Sequence, residues 1–332
     1  SYTSCCRNNA VNSTTYDSYY WEAVLNSTTA PCNNSAQITS QPIPYVCINQ
    51  PVNWNMAALD PDGNTLVYSL VPASNSPGVG ITYVAPYTGA QPITGISINS
   101  TTGQITFTPT ILGNFIVAVL VEEFDANGNL VGSVVQDFQI EVINCTNQVP
   151  SNPSAGISNF SGDGTLVSSN NIQACEGDSF CFELTFSDTD LSNVLTVTTN
   201  ATTIFPGSTV TITGTNPVTA TFCATIQPGS PAQSIISFDV LDDACPISGI
   251  NSFPAQINVI TSTYAGPDEI MCLGQGAQLT GSGGSNFNWT VISGPAMNVP
   301  GNFSCSNCQS PIANPTSTTT YQVVSNLSGG CQ

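Results

Sequence analysis

The sequence predicts an all-β protein. It reads as tandem Ig-like or cadherin-like β-sandwich modules, stapled by disulfides and arranged as an elongated rod. Three observations carry this. Short runs alternate apolar and polar residues, are rich in Val, Ile, Thr, Phe and Tyr, and are separated by Gly, Pro and Asn turns. A cysteine followed thirteen residues later by an acidic turn occurs twice: Cys47 before Asp60-Pro61-Asp62-Gly63-Asn64, and Cys175 before Asp188-Thr189-Asp190. No stretch keeps the i, i+3, i+4 apolar spacing of a helix of useful length.

Residues 1–41 open on Cys5-Cys6-Arg7-Asn8 and hold one strand candidate, Tyr19–Leu25. One strand cannot bury a face alone. The segment is expected to be the C-terminal piece of an upstream β module, or to pack on the module that follows. Cys32 is expected to pair with Cys5 or Cys6.

Residues 42–146 form the first full sandwich, with strand candidates at 51–58, 65–71, 104–108, 114–123 and 134–143. Asp125-Ala126-Asn127-Gly128-Asn129 reads as a hairpin turn, since Asn-Gly accepts positive φ cheaply. Cys47 opens this module and Cys145 closes it, so the two are paired. Residues 147–263 repeat the plan. Thr221-Phe222-Cys223 matches Thr106-Phe107-Thr108, and Gln256–Ile260 matches Gln139–Ile143. Repetition at about a hundred residues means tandem domains, not a short-repeat solenoid. Cys181 and Cys223 fall within strand candidates, predicting a cross-sheet bridge, and Cys175–Cys245 is the remaining pair.

Residues 264–332 differ. Cys272 begins a strand candidate, Phe287-Asn288-Trp289 follows, and Thr320–Val324 is a late strand carrying Tyr321. An early Cys, then a Trp, then a late Tyr strand fits an Ig/PKD-like module, expected to be truncated in the given sequence. Cys272 with Cys331 would close it. Cys305-Ser306-Asn307-Cys308 has redox spacing, but no helix follows to lower a thiol pKa, so it reads as a small structural cystine.

Composition bounds the function. The chain has one Lys-or-Arg residue, no His and twenty acidic residues, for a net charge of −19. Nucleic acid is excluded as a partner, since phosphate binding needs a basic surface. Thirteen cysteines imply an oxidising compartment and a disulfide framework. No segment is long and apolar enough to span a bilayer as a helix. Without His, Ser–His–Asp and Cys–His catalysis have no base. Without Lys, Schiff-base chemistry has no amine. No P-loop or dinucleotide fingerprint is present. The chain is read as a non-enzymatic piece of a longer secreted polypeptide.

The acidic turns are the functional candidates. Oxygen ligands two residues apart along a turn converge on a Ca²⁺ ion. In the first module Asp60, Asp62 and Asn64 are joined by Glu122, Glu123 or Asp125 from a late strand end. In the second, Asp188 and Asp190 have Asp242 and Asp243. Such a Ca²⁺ is structural, and no other cofactor is expected. Asp, Asn and Gly also favour turns without any metal.

Several of these runs resemble the repeats of giant secreted adhesins of gliding Bacteroidetes. The resemblance lies in Cys5-Cys6-Arg7-Asn8, in Cys47 with Asp60–Asn64 and Tyr68-Ser69-Leu70, and in Phe107-Thr108-Pro109. Ala265-Gly266-Pro267-Asp268, Cys272–Gln275, Cys305–Cys308 and Pro315–Tyr321 are similar to the Ig/PKD-like modules of the same proteins. The resemblance implies type IX secretion, attachment at the outer membrane through gliding and secretion machinery outside this stretch, and adhesion to extracellular surfaces or polysaccharides. The rival readings are a carbohydrate-binding or spacer region of a secreted hydrolase, and a structural subunit of an extracellular filament.

Overall fold

A computed structural model describes the chain except residues 16–17, 29, 41–42, 126, 153, 228–229, 246, 261–262, 273, 284 and 327–332. It is nearly all β; the described residues hold one short helix, Ala201–Ile204. No described helix is long and apolar enough to cross a membrane. Two compact units result. One comprises Ser1–Ile172, Ser179–Thr225 and Gln233–Asn258; the other comprises Gln173–Asp178, Ile226–Ala232 and Val259–Gln332.

The first unit contains two sandwiches. In the first, a large sheet runs Tyr2–Cys5, Ser18–Leu25, Leu130–Ile143, Gly113–Phe124, Thr65–Val71, and Tyr45–Cys47 adds in parallel to Leu130–Ile143. The facing sheet runs Ser97–Ile98, Gln104–Phe107, Val52–Asn55. Alternate residues of both sheets point inward, as a two-layer core requires. Trp54, Phe115, Val117, Val119 and Ile140 are buried between them, and Trp54 meets Phe138 edge-on at 5.3 Å. Residues 1–41, expected either to be the tail of an upstream module or to pack on the module that follows, give two strands to this sheet, as the second alternative has it. Ser18–Leu25 pairs antiparallel with Leu130–Ile143, Leu25 lying opposite Gly132.

The second sandwich repeats the pairing. Gln233–Leu241 lies between Ile250–Ile260 and Thr196–Thr199, as Gly113–Phe124 lies between Leu130–Ile143 and Thr65–Val71. Ser179–Phe186 pairs with Val218–Thr225, as Val52–Asn55 pairs with Gln104–Phe107. Its core is aromatic: Phe182, Phe222 and Phe238 are fully buried and in mutual ring contact.

In the other unit, Ser285–Ser293 pairs with Thr320–Asn326, and Ala277–Gln278 with Ile312–Ala313. Phe287, Trp289, Phe303 and Ala313 form its core, and Trp289 Nε1 donates to the Cys308 carbonyl at 2.9 Å. The strand expected from Cys272 shortens to Ala277–Gln278.

The cystines partly depart from expectation. Cys47 is joined to Cys145, Cys305 to Cys308, and Cys181 to Cys223, the last not from sheet to sheet as expected but directly across two paired strands of one sheet. Cys5 is joined to its neighbour Cys6, and Cys32 is free and exposed, so neither pairing expected for Cys32 forms. Cys5 lies opposite Ser18, whereas Cys32 follows the far end of Ser18–Leu25. Eight residues of strand separate the two by about 24 Å, well beyond disulfide reach. Cys175–Cys245 does not form either: Cys175 is in another disulfide, and Cys245 is free and exposed. Glu176, next to Cys175, bonds to Ile260 at one end of Ile250–Ile260, while Cys245 lies in the turn before its other end. Cys272 is exposed and unpaired among the described residues, and its expected partner Cys331 lies outside them.

Candidate metal site

The first acidic turn follows the short strand Ala58–Leu59. Asp60 Oδ1 accepts the amides of Asp62 and Asn64, at 2.8 and 3.0 Å, and Gly63 takes φ 78° to close the loop. That leaves Asp60 Oδ2. Asp60 is only 5% exposed, and Oδ2 is buried with no hydrogen-bond partner. A carboxylate oxygen without a partner in a desolvated place is costly. Burial accordingly raises the Asp60 pKa, against the two amides that lower it.

Glu123, fully buried at the end of Gly113–Phe124, sits beside this turn because its strand pairs Glu123 with Leu66. Its Oε1 accepts the Ala36 amide and its Oε2 the Asn33 side chain, both at 2.7 Å. Asn64 donates in turn to Asn33 Oδ1. Burial raises the Glu123 pKa; the bonds from Ala36 and Asn33 pull it down, and the charges of Asp60 and Asp62 push it up. Asp62 accepts from Asn34 and caps the loop from outside.

The second module carries the same two parts, an acidic turn and a buried late carboxylate, built from different residues. Asp188 Oδ1 accepts the Asp190 amide at 2.7 Å, and its Oδ2 is buried without a partner. Asp242, at the end of the equivalent strand, takes the place of Glu123. Its Oδ1 accepts the amides of Ala244 and Gly249, and its Oδ2 accepts the Asn147 side chain at 2.8 Å. Asn147 therefore matches Asn33, and Gly249 matches Gly132. A Cβ on Gly132 would fall on the Glu123 carboxylate; one on Gly249 would come within 2.7 Å of Asp242 Oδ2.

The other candidates stand apart. Glu122 points to the opposite face of its strand from Glu123, as alternation demands. Asp125 is spent within its own hairpin, accepting from Asn127 and Asn129, which lowers its pKa. Asp190 is exposed and capped by Ser192, and Asp243 accepts the Val194 amide at 2.8 Å. Among the described residues, no three acidic or sulfur side chains converge as a ready metal cage. The unpartnered oxygens there are Asp60 Oδ2 and Asp188 Oδ2, while the Asn33 and Asn147 side chains and the nearby backbone turn N–H groups toward Glu123 and Asp242; a free carboxylate oxygen is the hard donor that suits Ca²⁺ and not zinc. Sequence reasoning missed Asn33 and Asn147. Their one shared signal is faint: each follows a cysteine closely, in Cys32-Asn33 and Cys145-Thr146-Asn147.

No protein-family model matches the chain. It is 29% identical over 151 residues to integrin beta-like protein A of Dictyostelium discoideum, a match covering 43% of this chain and 7% of that protein. The chain thus spans a small fraction of that relative. Among solved structures it is similar to a titin fragment, I67–I69, at 8% identity and TM-score 0.32, covering 89% of this chain and 94% of that one. It is also similar to Drosophila N-cadherin EC1-4, at 12% identity and TM-score 0.26, covering 85% and 66%. The strand pairing described above, and not these distant likenesses, carries the sandwich assignment.

Proposed function

We propose that this chain is a non-enzymatic repeat region of a large secreted cell-surface adhesin, and that each of its two paired sandwiches holds one structural Ca²⁺. One observation supports this most. A buried aspartate turn with one oxygen lacking a partner, followed later by a buried carboxylate bonded to an Asn side chain, is built twice from different residues. In the first module Asp60 Oδ2 meets the ion, with Glu123 held beside the turn by Asn33; in the second Asp188 Oδ2 meets it, and Asn147 holds Asp242. The ion supplies the positive charge that this nearly cation-free chain lacks. Asn33 and Asn147 come from the segments entering each sandwich, so a bound ion ties entry segment to sandwich and stiffens the chain against pulling. The disulfides and the uncharged Asn, Ser and Thr surface suit an extracellular setting.

The finer reading is a stretch of a type IX-exported gliding adhesin, held at a bacterial outer membrane and gripping external polysaccharides. It rests on the residue resemblance alone.

The test is thermal unfolding of the 332-residue chain in millimolar Ca²⁺ against chelator, paired with adsorption to polysaccharide-coated surfaces. An ion at a hundred times its Kd stabilises by about 2.7 kcal/mol. The expected result is a Ca²⁺-dependent rise in Tm, reduced in part by Asp60→Asn or Asp188→Asn and removed by the double variant. An identical Tm in both buffers overturns the metal assignment. Failure to adsorb to any coated surface overturns the adhesive one.

A further inference from the structure

The outer strand Thr209–Gly214 of the second sandwich is an open edge. Among the described residues it pairs only with Val218–Thr225, so its other flank of backbone N–H and C=O groups meets no strand. Thr209, Thr211, Ile212, Thr213 and Gly214 are exposed. Val210 and Ile212 lie opposite Phe222 and Ala220, both fully buried, which places them on the core side of the sheet. Yet Val210 is only half-buried, and Ile212 is 42% exposed. Thr209, Thr211 and Thr213 form the outward row. No charged side chain occurs anywhere in residues 191–238.

Such an edge invites another strand, and folds normally blunt it with a charge, a proline, a bulge or brevity. The other edges of the two sandwiches are blunted. The matching edge of the first sandwich, Ser97–Ile98, is two residues long. Tyr2–Cys5, Val52–Asn55, Thr165–Ser168 and Thr196–Thr199 stop at four. Ser158–Gly162 is broken by a register shift between Ser158 and Ser161, and Thr65–Val71 is covered at Tyr68, whose amide donates to the Ser100 carbonyl. We infer that Thr209–Gly214 is a lateral contact with a second copy of the chain, formed by antiparallel pairing of the two edges about a two-fold axis at Thr211. The strand itself selects that occupant. Thr209-Val210-Thr211-Ile212-Thr213 alternates hydroxyl and β-branched aliphatic residues identically in both directions. Pairing centred on Thr211 sets each Thr211 against the other, Val210 against Ile212 and Thr209 against Thr213. The contact is isologous, the commonest form of dimer. β-branched pairs and Thr–Thr hydrogen bonds are favourable cross-strand neighbours, and this sheet already makes the latter, with Thr185 Oγ1 and Thr219 Oγ1 2.9 Å apart. The pairing also covers Val210 and Ile212. Two chains of charge −19 repel each other, so a strand without charge is where they touch at least cost. An edge this short buries less than a standing dimer needs, which makes the contact weak, with a Kd in the high-micromolar range or above.

This contact goes beyond the adhesin reading and needs neither Ca²⁺ nor a polysaccharide. It is tested by cysteine cross-linking of the whole chain under mild oxidation. Residues opposite each other in an antiparallel pair have Cα atoms about 4.5–5.5 Å apart, inside disulfide reach. Thr211→Cys is therefore expected to give a covalent dimer linked at position 211. Thr209→Cys is the register control: its two copies would lie about 14 Å apart along the paired strands and should not link to each other. Cys32, Cys245 and Cys272 are exposed and free, so peptide masses separate dimers joined through them from those joined at the new thiols. Sedimentation equilibrium is the second measurement. Wild type is expected to associate reversibly at high concentration, and more strongly in high salt, which screens the repulsion between acidic chains. Thr211→Lys, at an exposed position, sets two like charges face to face and is expected to weaken association about tenfold with Tm unchanged. The inference is overturned if Thr211→Cys links no better than Thr209→Cys, or if Thr211→Lys associates like wild type. It is also overturned if wild type stays monomeric in high salt, which would leave the edge to a strand of another protein.

Discussion

Arg7 donates to Asp137 with both side chains fully out of solvent. Arg7 is the one cationic side chain in the protein, and it is spent on this contact. It also donates to Asn75 Oδ1 and to the Ser74 carbonyl, each at 2.8 Å. Asp137 in turn accepts the Tyr20 amide at 3.3 Å. The pair therefore pins the N-terminal hairpin to the strand Leu130–Ile143.

Removing one partner leaves a buried charge alone, which costs about 3–5 kcal/mol. Arg7→Met is expected to lower stability by about that much and to free the hairpin first. Replacing both, as Arg7→Met with Asp137→Leu, should recover most of the loss, because a packed apolar pair removes two desolvation penalties together. Urea unfolding of the three variants checks this. A single variant as stable as wild type would show that the pair does not hold the hairpin.

The pH dependence follows from the same burial. Desolvation lifts Asp137 to about 6, outweighing the opposite pull of Arg7. Burial also raises Asp60, Glu123 and Asp239. A carboxyl whose folded pKa exceeds its unfolded value binds protons more readily when folded. Its contribution is fully present below the unfolded pKa and is lost as pH rises through the folded one. For Asp137 the window runs from about 4 to about 6. In chelator, Tm is expected to be higher at pH 5 than at pH 7.5. In Ca²⁺ the contributions of Asp60 and Glu123 should reverse, because a bound cation favours their charged forms. Parallel Tm curves in the two buffers would contradict that reversal.

The cystines should differ in worth. Cys47–Cys145 closes a loop of 98 residues and Cys181–Cys223 one of 42. Loop-closure entropy puts both at about 4–5 kcal/mol, the longer loop slightly ahead. Replacing Cys47 and Cys145 together by Ser should also loosen the parallel contact of Tyr45–Cys47 with Leu130–Ile143, which the Cys181 pair has no counterpart for. The Cys47/Cys145 variant is therefore expected to lose the greater stability in urea. Equal losses would mean that the parallel strand holds itself in place.

Much of the scaffold was legible because strands announce themselves by alternation. Thr65–Val71 was expected at those bounds, and the expected 114–123 and 134–143 runs appear as Gly113–Phe124 and Leu130–Ile143. The extra residues of Leu130–Ile143 include Gly132, which carries no side chain to enter an apolar pattern. The carboxylates of the site were visible as acidic turns; their Asn partners were not. Asn33 and Asn147 sit among many Asn residues, and only the tertiary pairing singles them out. The N-terminal strands were ambiguous for a related reason. A strand's sequence records that one face is buried, not which sheet buries it, so Ser18–Leu25 could not reveal its partner Leu130–Ile143.

Gly132 and Gly249 give the sharpest test that the two modules share one site. Gly132 lies on the strand following its buried carboxylate and Gly249 immediately before the equivalent strand, and each leaves the space which that carboxylate fills. Gly132→Ala forces the new methyl onto Glu123, which must give up its bond to Asn33. Overpacking of this kind costs about 1–3 kcal/mol. Gly249→Ala should act the same way on Asp242 and Asn147, more mildly, since its Cβ would approach Asp242 Oδ2 only to 2.7 Å. If the carboxylates also hold Ca²⁺, each variant should lose part of the Ca²⁺-dependent rise in Tm, and the double variant all of it. Calorimetry with and without chelator separates the two effects. Stability lost equally in both buffers would reduce these glycines to packing positions and remove the metal from both modules.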